Sequence, residues 1–357
     1  MVNNASETIE ISNQKALPKN PLVSVYMLTY KHEKLIAEAI EGVIAQQCDF
    51  PIELIIGEDC SPDRTREIVL DYQRRYPHLI RVLTAGTNIG AKANAARCRN
   101  STRGEFVAIC EGDDYWIDPS KLQRQITLIS AQPRLMLVGH PAQLKCAISG
   151  KKLGVVRPTF SSRVLSMHEL ILGDGGLIPT ASILVRRKVL NTPPEWSARA
   201  PVGDYPLVLR AGLLGDVVSL NRIMSVYRYN VPGSWSEQRS REFTTRWAHA
   251  REIDLILSGF DREAGRHYND DVKAMISKYY SDTLIHFKGD SNIKRRHLQE
   301  IAYKLTRSDR LFCTLAVKLG MPVGTMKTFH RKVNSLARIL QGERSMKHVS
   351  APSGSHH

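Results

Sequence analysis

Three short stretches gather most of the side chains that could do chemistry. Thr29, Tyr30 and Glu33 follow the apolar run LVSVYML, Glu58 and Asp59 follow ELIIG, and Glu111, Gly112, Asp113 and Asp114 follow EFVAIC. Carboxylates and hydroxyls are hard oxygen donors. They suit Mg²⁺ or Mn²⁺, which takes one or two protein carboxylates, keeps waters and borrows oxygens from the phosphates of a substrate. A nucleoside diphosphate is the natural ligand of such a cluster. Neither GxxxxGK[ST] nor GxGxxG follows any of the three runs, so no backbone nest is at hand and the metal would have to neutralise the phosphates. The plainer reading of 111–114 is a solvated acidic turn. Two further aspartates precede prolines or near-prolines at helix starts. Asp118, before Pro119, reads as an N-cap and is assigned to structure; the same reading applies to Asp204, before Tyr205 and Pro206.

The elements that must carry these residues can be read from periodicity. Leu22–Leu28 is β-branched and apolar, fit for a buried parallel strand. Leu35/Ile36, Ala39/Ile40 and Val43/Ile44 recur about every four residues, the stripe of a helix covering a sheet. The pattern repeats with a strand at Glu53–Gly57, a helix from about Arg64 to Tyr76 closed by Pro77, a strand at Ile80–Leu83, a helix near Ala91–Asn100 and a strand at Glu105–Cys110. Alternating strand and helix predicts a doubly wound α/β sheet, whose ligands sit beyond the carboxyl ends of the strands. The residues after each run are suspects for that reason. From 135 to 231 the pattern is mixed, with a helix after Asp204 that ends by Gly215. Beyond about Arg241 strand signals vanish and a helical region follows.

Of 357 residues, 42% are hydrophobic and 24% charged, which excludes disorder along most of the chain. The formal charge is +15, and residues 291–357 hold 13 Lys and Arg against 3 Asp and Glu. Leu311–Leu340 interleaves apolar residues with Lys318, Lys327, Arg331, Lys332 and Arg338, a pattern fit for an anionic membrane surface; a solvated helix is the default reading. Nucleic acid ranks last, because no recognised motif accompanies the charge. The six cysteines form no CxxC pair, no leader pattern opens the chain and no apolar run reaches 18 residues, so a reduced, cytoplasmic protein, peripheral on a membrane surface, is expected. Lys92 is placed to meet phosphates, with a solvated lysine as its other reading.

The segment CEGDDYWIDPSKLQ, 110–123, resembles the DXD region of family 2 glycosyltransferases with the GT-A fold, and closely that of a bacterial subset using CEGDDYW. The resemblance spans about 20–235. It rests also on VSVYMLTYKHEKLIAEAIEGVIAQ, ELIIGEDCSPDRTREI, NIG at Asn88, RGEFVAIC and GDYPLVLRAG, in that order. It implies a GT-A-type, Rossmann-like mixed sheet flanked by helices over 21–240, with a nucleotide half (21–118) and an acceptor half (119–240). A polar arm (1–20), a helical basic region (241–347) and a disordered tail (348–357) complete the expected organisation. The resemblance implies that Asp59 contacts the base, that Thr29, Tyr30 and Glu33 line the nucleoside pocket, and that Asp113 reaches Mn²⁺ or Mg²⁺. Glu111 stands where many relatives have aspartate and is the second metal candidate. Asp114 is expected to hold the loop through backbone N–H groups, with a place near the sugar as its other reading; Trp116 either walls the sugar pocket or is core.

In LIPTASILVRR, Thr180 and Ser182 are candidate contacts to the donor sugar, with a plain edge strand as the alternative. Trp235 is a sugar or acceptor candidate; it lacks a QxxRW context, which argues against a processive synthase, and Asn230 stands where relatives often place histidine. Asp204 matches the general base of inverting members, and at a helix N-terminus it is expected to keep a low pKa. The implied activity is inverting transfer of a sugar, UDP-linked, to a hydroxyl of a saccharide or lipid-linked saccharide in bacterial surface polysaccharide assembly. A nucleotidyltransferase of related fold and a non-enzymatic polyanion-binding protein are the alternatives.

Overall fold

The computed structural model describes residues 8–198, 200, 203–232, 234, 243–285 and 291–319. Part of the expected polar arm is a strand. Ile9–Ile11 (β1) runs antiparallel to Ile80–Thr84 (β4), and Glu10 takes both prongs of the Arg81 guanidinium at 2.9 and 3.0 Å. Three alternating residues are too short a run to give a strand signal; the ion pair to a residue 71 positions away is what fixes them.

Val23–Thr29 (β2), Ile52–Glu58 (β3), β4 and Phe106–Ile109 (β5) form the parallel half of a nine-stranded mixed sheet, in the order β4-β3-β2-β5. Their side chains are buried on both faces because helices cover both. Ile36–Ile44 (α1) buries Ile36, Ala39, Ile40 and Val43; Thr65–Arg75 (α2) and Ala91–Asn100 (α3) complete the layers. Two glycines permit close approaches. A Cβ on Gly57 would lie 2.4 Å from both Asn94 Oδ1 and Cys98 Sγ of α3, and one on Gly42 would lie 2.8 Å from the Trp116 carbonyl oxygen.

After β5 come Tyr115–Trp116 (β6), Lys121–Ser130 (α4), Leu135–Gly139 (β7), Ala142–Cys146 (β8), Lys152–Val156 (β9), Arg163–Leu165 (β10) and Met167–Leu172 (α5). A 3₁₀ turn at Thr180–Ser182 leads into Leu184–Arg186 (β11), followed by Glu195–Ala198 (α6), Asp204–Leu214 (α7), Asp216–Ser219 (β12) and Ser225–Tyr229 (β13). β11 lies antiparallel between β5 and β7, in the middle of the sheet, so the edge-strand reading of LIPTASILVRR is corrected. Its three residues are too few to show which edges are covered. A second sheet of order β6-β13-β8-β9 joins the chain just after β5 to the strand carrying Arg228.

The N-cap expected at Asp118 is also corrected. Helix α4 begins three residues later, and Asp118 instead accepts the Ser120 N–H at 2.9 Å and pairs with Arg222 at 2.5 Å. Pro119 lacks an N–H, so the first amide that the carboxylate can bind is that of Ser120.

This first unit comprises Met1–Ser240 with Arg262–Gly265; the second comprises Arg241–Asp261 with Arg266–His357. The described residues of the second are helical: Phe243–Glu263 (α8), Asn269–Ile285 (α9), Ser291–Ile301 (α10) and Arg307–Leu319 (α11). Ser277 of α9 donates to Asp309 of α11 at 2.5 Å, and Tyr280 donates to Asp254 of α8 at 2.9 Å. No described helix is long and apolar enough to cross a membrane. Most of the basic segment 311–340, and the tail 348–357, lie outside the described residues.

Candidate active site

The carboxyl ends of β2, β3 and β5 meet at one rim because the three strands are parallel and adjacent. Thr29 ends β2, buried, with its hydroxyl 3.3 Å from Nδ1 of His32. Tyr30 beside it is exposed, and the Lys31 ammonium lies 5.1 Å from its ring centroid. Glu33 uses one carboxylate oxygen to accept the Arg64 N–H at 3.1 Å, closing the first turn of α2. Asp59 is buried and holds the next loop: its two oxygens accept the amides of Ile89 and Gly90 at 2.9 Å each, and its carbonyl accepts the Asn88 side chain. Gly90, with φ near +85°, then starts α3, whose first turn exposes Lys92.

The acidic turn after β5 is fastened at both ends. Gly112 donates its N–H to the Leu28 carbonyl at 2.8 Å, crossing the end of β2, and a Cβ there would lie 2.9 Å from His32 Nδ1 and from the Leu28 oxygen. On the other side Arg228 of β13 grips the turn. Its N–H bonds to Asp114 Oδ1 at 2.8 Å, its guanidinium bonds to the Asp113 carbonyl at 2.7 Å, and it pairs with Glu38 of α1 and stacks 4.3 Å over the Tyr115 ring. Asp114 is therefore buried within the turn. Glu111 and Asp113 keep their carboxylates for other work. Among the described residues no side chain hydrogen-bonds either one, and no three metal-ligating side chains are gathered there.

Burial, with Asp113 and Asp204 pressing further, pushes the Glu111 carboxyl up to about 8. The opposite end of the sheet shows what this protein does with a buried carboxylate whose role is structural. Burial pushes Glu53 up, yet bonds from Arg103 (2.9 Å), Ser24 (2.6 Å) and Arg81 (2.9 Å) bring it below the usual range. Burying a charge without a partner is costly. An excess of negative charge on oxygen donors at the ligand-binding end fits a divalent cation, and Glu111 and Asp113 are the residues that would hold it.

Asp204 is the first residue of α7, and its Oδ2 accepts the Thr180 hydroxyl at 2.7 Å. The low pKa expected of a carboxylate at a helix N-terminus is not what the fold produces. Burial pushes Asp204 up, the Asp174 charge adds to this, and the Thr180 hydroxyl and Tyr205 N–H oppose it without cancelling it. The helix dipole is a surface-scale effect of up to about 1 kcal/mol, smaller than the burial of a carboxylate beside other carboxylates.

Two sugar-site candidates are placed elsewhere. Trp116 is core, 4% exposed, with its indole N–H on the Ala181 carbonyl at 2.8 Å. Ser182 is fully buried and donates to the Pro179 carbonyl at 2.6 Å. Trp235 lies outside the described residues; Asn230, just after β13, is in the left-handed region with φ near +61°.

His32 and Arg228 were not singled out from the sequence. His32 stands inside TYKHEK, and in SVYRY the two-residue period puts Arg228 on the same buried face as Val226, an inward cation that signals a buried anion.

Lys121 is a second inward cation. Its Nζ lies 2.8 Å from Gln125 Oε1 and 3.9 Å from the Trp116 ring centroid, and burial pushes its ammonium down to about 7. An unfolded chain keeps that proton to about pH 10. Above pH 7 the unfolded state therefore binds more protons than the folded one, and stability rises with pH. Buried Cys110, pushed up by burial, works the other way once unfolded thiols ionise near pH 8.5, so the window is about pH 7–8.5. The melting temperature of Lys121→Met should rise less than the parent's across it; parallel curves would refute this account.

A sequence profile of glycosyl transferase family 2 matches residues 24–170. A putative teichuronic acid biosynthesis glycosyltransferase of Bacillus subtilis, TuaG, is 32% identical over 244 residues, 66% of this chain and 90% of TuaG. An uncharacterized protein of Mycobacterium tuberculosis, Rv1520, is 33% identical over 250 residues, 68% of this chain and 71% of Rv1520. Among solved structures, Staphylococcus aureus TarS 1–349 in complex with UDP-GlcNAc superposes with a TM-score of 0.53 at 17% identity, covering 84% of this chain and 92% of that one. The mannosyltransferase PcManGT of Pyrobaculum calidifontis, in complex with GDP-Man and Mn²⁺, gives 0.51 at 14% identity, covering 89% and 86%. Both likenesses concern the fold.

Proposed function

The chain belongs to glycosyl transferase family 2, and we propose that it moves a sugar from a UDP-sugar to a hydroxyl of a saccharide or lipid-linked saccharide, with inversion and with a divalent cation. The observation that carries this reading is the unpartnered pair Glu111 and Asp113 at the same rim as Asp204, in a protein that neutralises Glu53 with two arginines and a serine. When bound, Mn²⁺ or Mg²⁺ would offset charge on the departing diphosphate. Asp113 and Glu111 would hold it. Tyr30 offers a ring for the base, Thr29 a hydroxyl beside it, and Asp59 the turn 88–90 that shapes the pocket, with spare carboxylate lone pairs for a base N–H. Glu33 supports that pocket by capping α2, and Lys92 is exposed where phosphates would approach. Asp204 takes the proton of the acceptor hydroxyl; its raised pKa makes it a stronger base than an exposed aspartate. Attack on the anomeric carbon opposite the leaving diphosphate inverts it.

The name of TuaG and the ligand of TarS favour surface polysaccharide assembly from UDP-sugars. Such work places the protein in the cytoplasm at the inner membrane face, with the basic C-terminal region on anionic lipid.

Thermal melting with UDP, GDP and dTDP, each with and without Mn²⁺, tests the reading. Stabilisation follows mass action, about 2.7 kcal/mol at a hundredfold excess over Kd. UDP with Mn²⁺ should raise the melting temperature and UDP alone much less. A larger shift with GDP or dTDP would move the donor away from uridine, and no shift with any of the three would sink the proposal.

A further inference from the structure

We infer that Thr180 is a positioning residue for Asp204, fixing which carboxylate oxygen receives the acceptor proton, and that Gln125 and Trp116 hold it there; this rests on Asp204 being the base. The Thr180 hydroxyl has one proton, and it goes to Asp204 Oδ2 at 2.7 Å. Among the described residues the other oxygen, Oδ1, accepts only the adjacent Tyr205 N–H and keeps a lone pair. It faces a turn made of glycine: a Cβ on Gly175 would lie 3.7 Å from it, and one on Gly176 would meet nothing within 4 Å. Without side chains at 175 and 176, that stretch leaves space beside Oδ1 for an acceptor hydroxyl.

A hydroxyl can orient a carboxylate only if its own backbone is fixed. Thr180 sits in a 3₁₀ turn of three residues, too short to hold itself. Two bonds from outside reach it, and a third ties one of the donors to β7. Gln125 Nε2 donates to the Ser182 carbonyl and to Val138 of β7, both at 2.8 Å, and the Trp116 indole N–H donates to the Ala181 carbonyl at 2.8 Å. Ser182 closes the turn from within by donating to Pro179 at 2.6 Å. Lys121 supports Gln125 in turn: the two carbonyls can only accept, so they settle which end of the amide is NH₂, and Oε1 is left to accept from Lys121 Nζ at 2.8 Å. Trp116 and Ser182 thus serve the base rather than the sugar, in keeping with their burial.

Thr180→Val keeps the shape and removes the donor; Thr180→Ser restores it. UDP release from UDP-glucose, UDP-galactose and UDP-GlcNAc with Mn²⁺ identifies the fastest donor of the three, which is then used for all variants. Thr180→Val should lower kcat about ten- to a hundredfold with KM for the donor within about twofold of the parent, and the same melting temperature to within a few degrees. Thr180→Ser should recover most of the rate. A donor KM that rises with kcat preserved would make Thr180 a sugar contact and overturn the inference, as would a valine variant at parental kcat or a folded serine variant that recovers nothing. Asp204→Asn at parental rate is a different result: it removes the base itself.

Discussion

Asp204→Asn is expected to lower turnover by about 10²–10⁴-fold, the range for loss of a general base, while leaving nucleotide binding unchanged. The substitution keeps the shape of the side chain, and its carbonyl oxygen can still accept the Thr180 hydroxyl. Basicity is lost, and with it the acceptor for the Tyr205 N–H. Because burial pushes Asp204 up and the Asp174 charge adds to this, replacing it with a neutral amide should also relieve repulsion, so the variant should melt no lower than the parent. Steady-state UDP release and UDP-induced thermal shifts, measured on one preparation, separate the two effects. A variant that turns over within threefold of the parent would remove Asp204 from the mechanism.

The acidic turn should give an effect of similar size by a different route. Asp113→Ala is expected to cost about a thousandfold in turnover, the scale of losing the groups that stabilise developing charge. The turn itself should survive, because Arg228 holds Asp113 by its backbone carbonyl and Asp114 by its side chain. UDP should then stabilise the variant equally with and without Mn²⁺. Glu111→Gln makes the complementary case. Its carboxyl is pushed to about 8 by burial first and by Asp113 and Asp204 next, so a neutral isostere should raise the melting temperature of metal-free protein, by about 2–4 °C for each kcal/mol relieved. The same change should weaken the Mn²⁺-dependent gain from UDP. Stability and function would thus move in opposite directions at one residue. An Asp113→Ala variant that turns over at the parental rate without metal would contradict the proposed role of the turn.

Much of the frame was legible because local patterns carry it. The buried runs at 22–28 and 53–57 and the helical stripe at 35–44 lie within a residue or two of β2, β3 and α1, and the span 91–100 is α3. Hydrophobic spacing reports burial directly, and adjacent parallel strands oblige the residues after them to share a rim. What failed was whatever depended on a distant partner. β1 is held by Arg81, 71 residues on, and β11 lies central because β5 and β7 flank it; for Trp116 the sequence left sugar wall and core both open, and the Ala181 carbonyl offered to its indole decides for core.

The amino-acid sequence alone determined the order of the elements, the rim to which the acidic and hydroxyl residues come, and the family resemblance from which the role proposed for Asp204 comes. Only the tertiary structure decided their electrostatics. Arg228 reaches Asp114 across 114 residues and Thr180 reaches Asp204 across 24, while among the described residues no cation hydrogen-bonds the carboxylates of Glu111 and Asp113 and Glu53 is given two. Spacing along a chain is set by neighbours, whereas the charge a carboxylate carries is set by what surrounds it in space, and that is known only once the chain has closed.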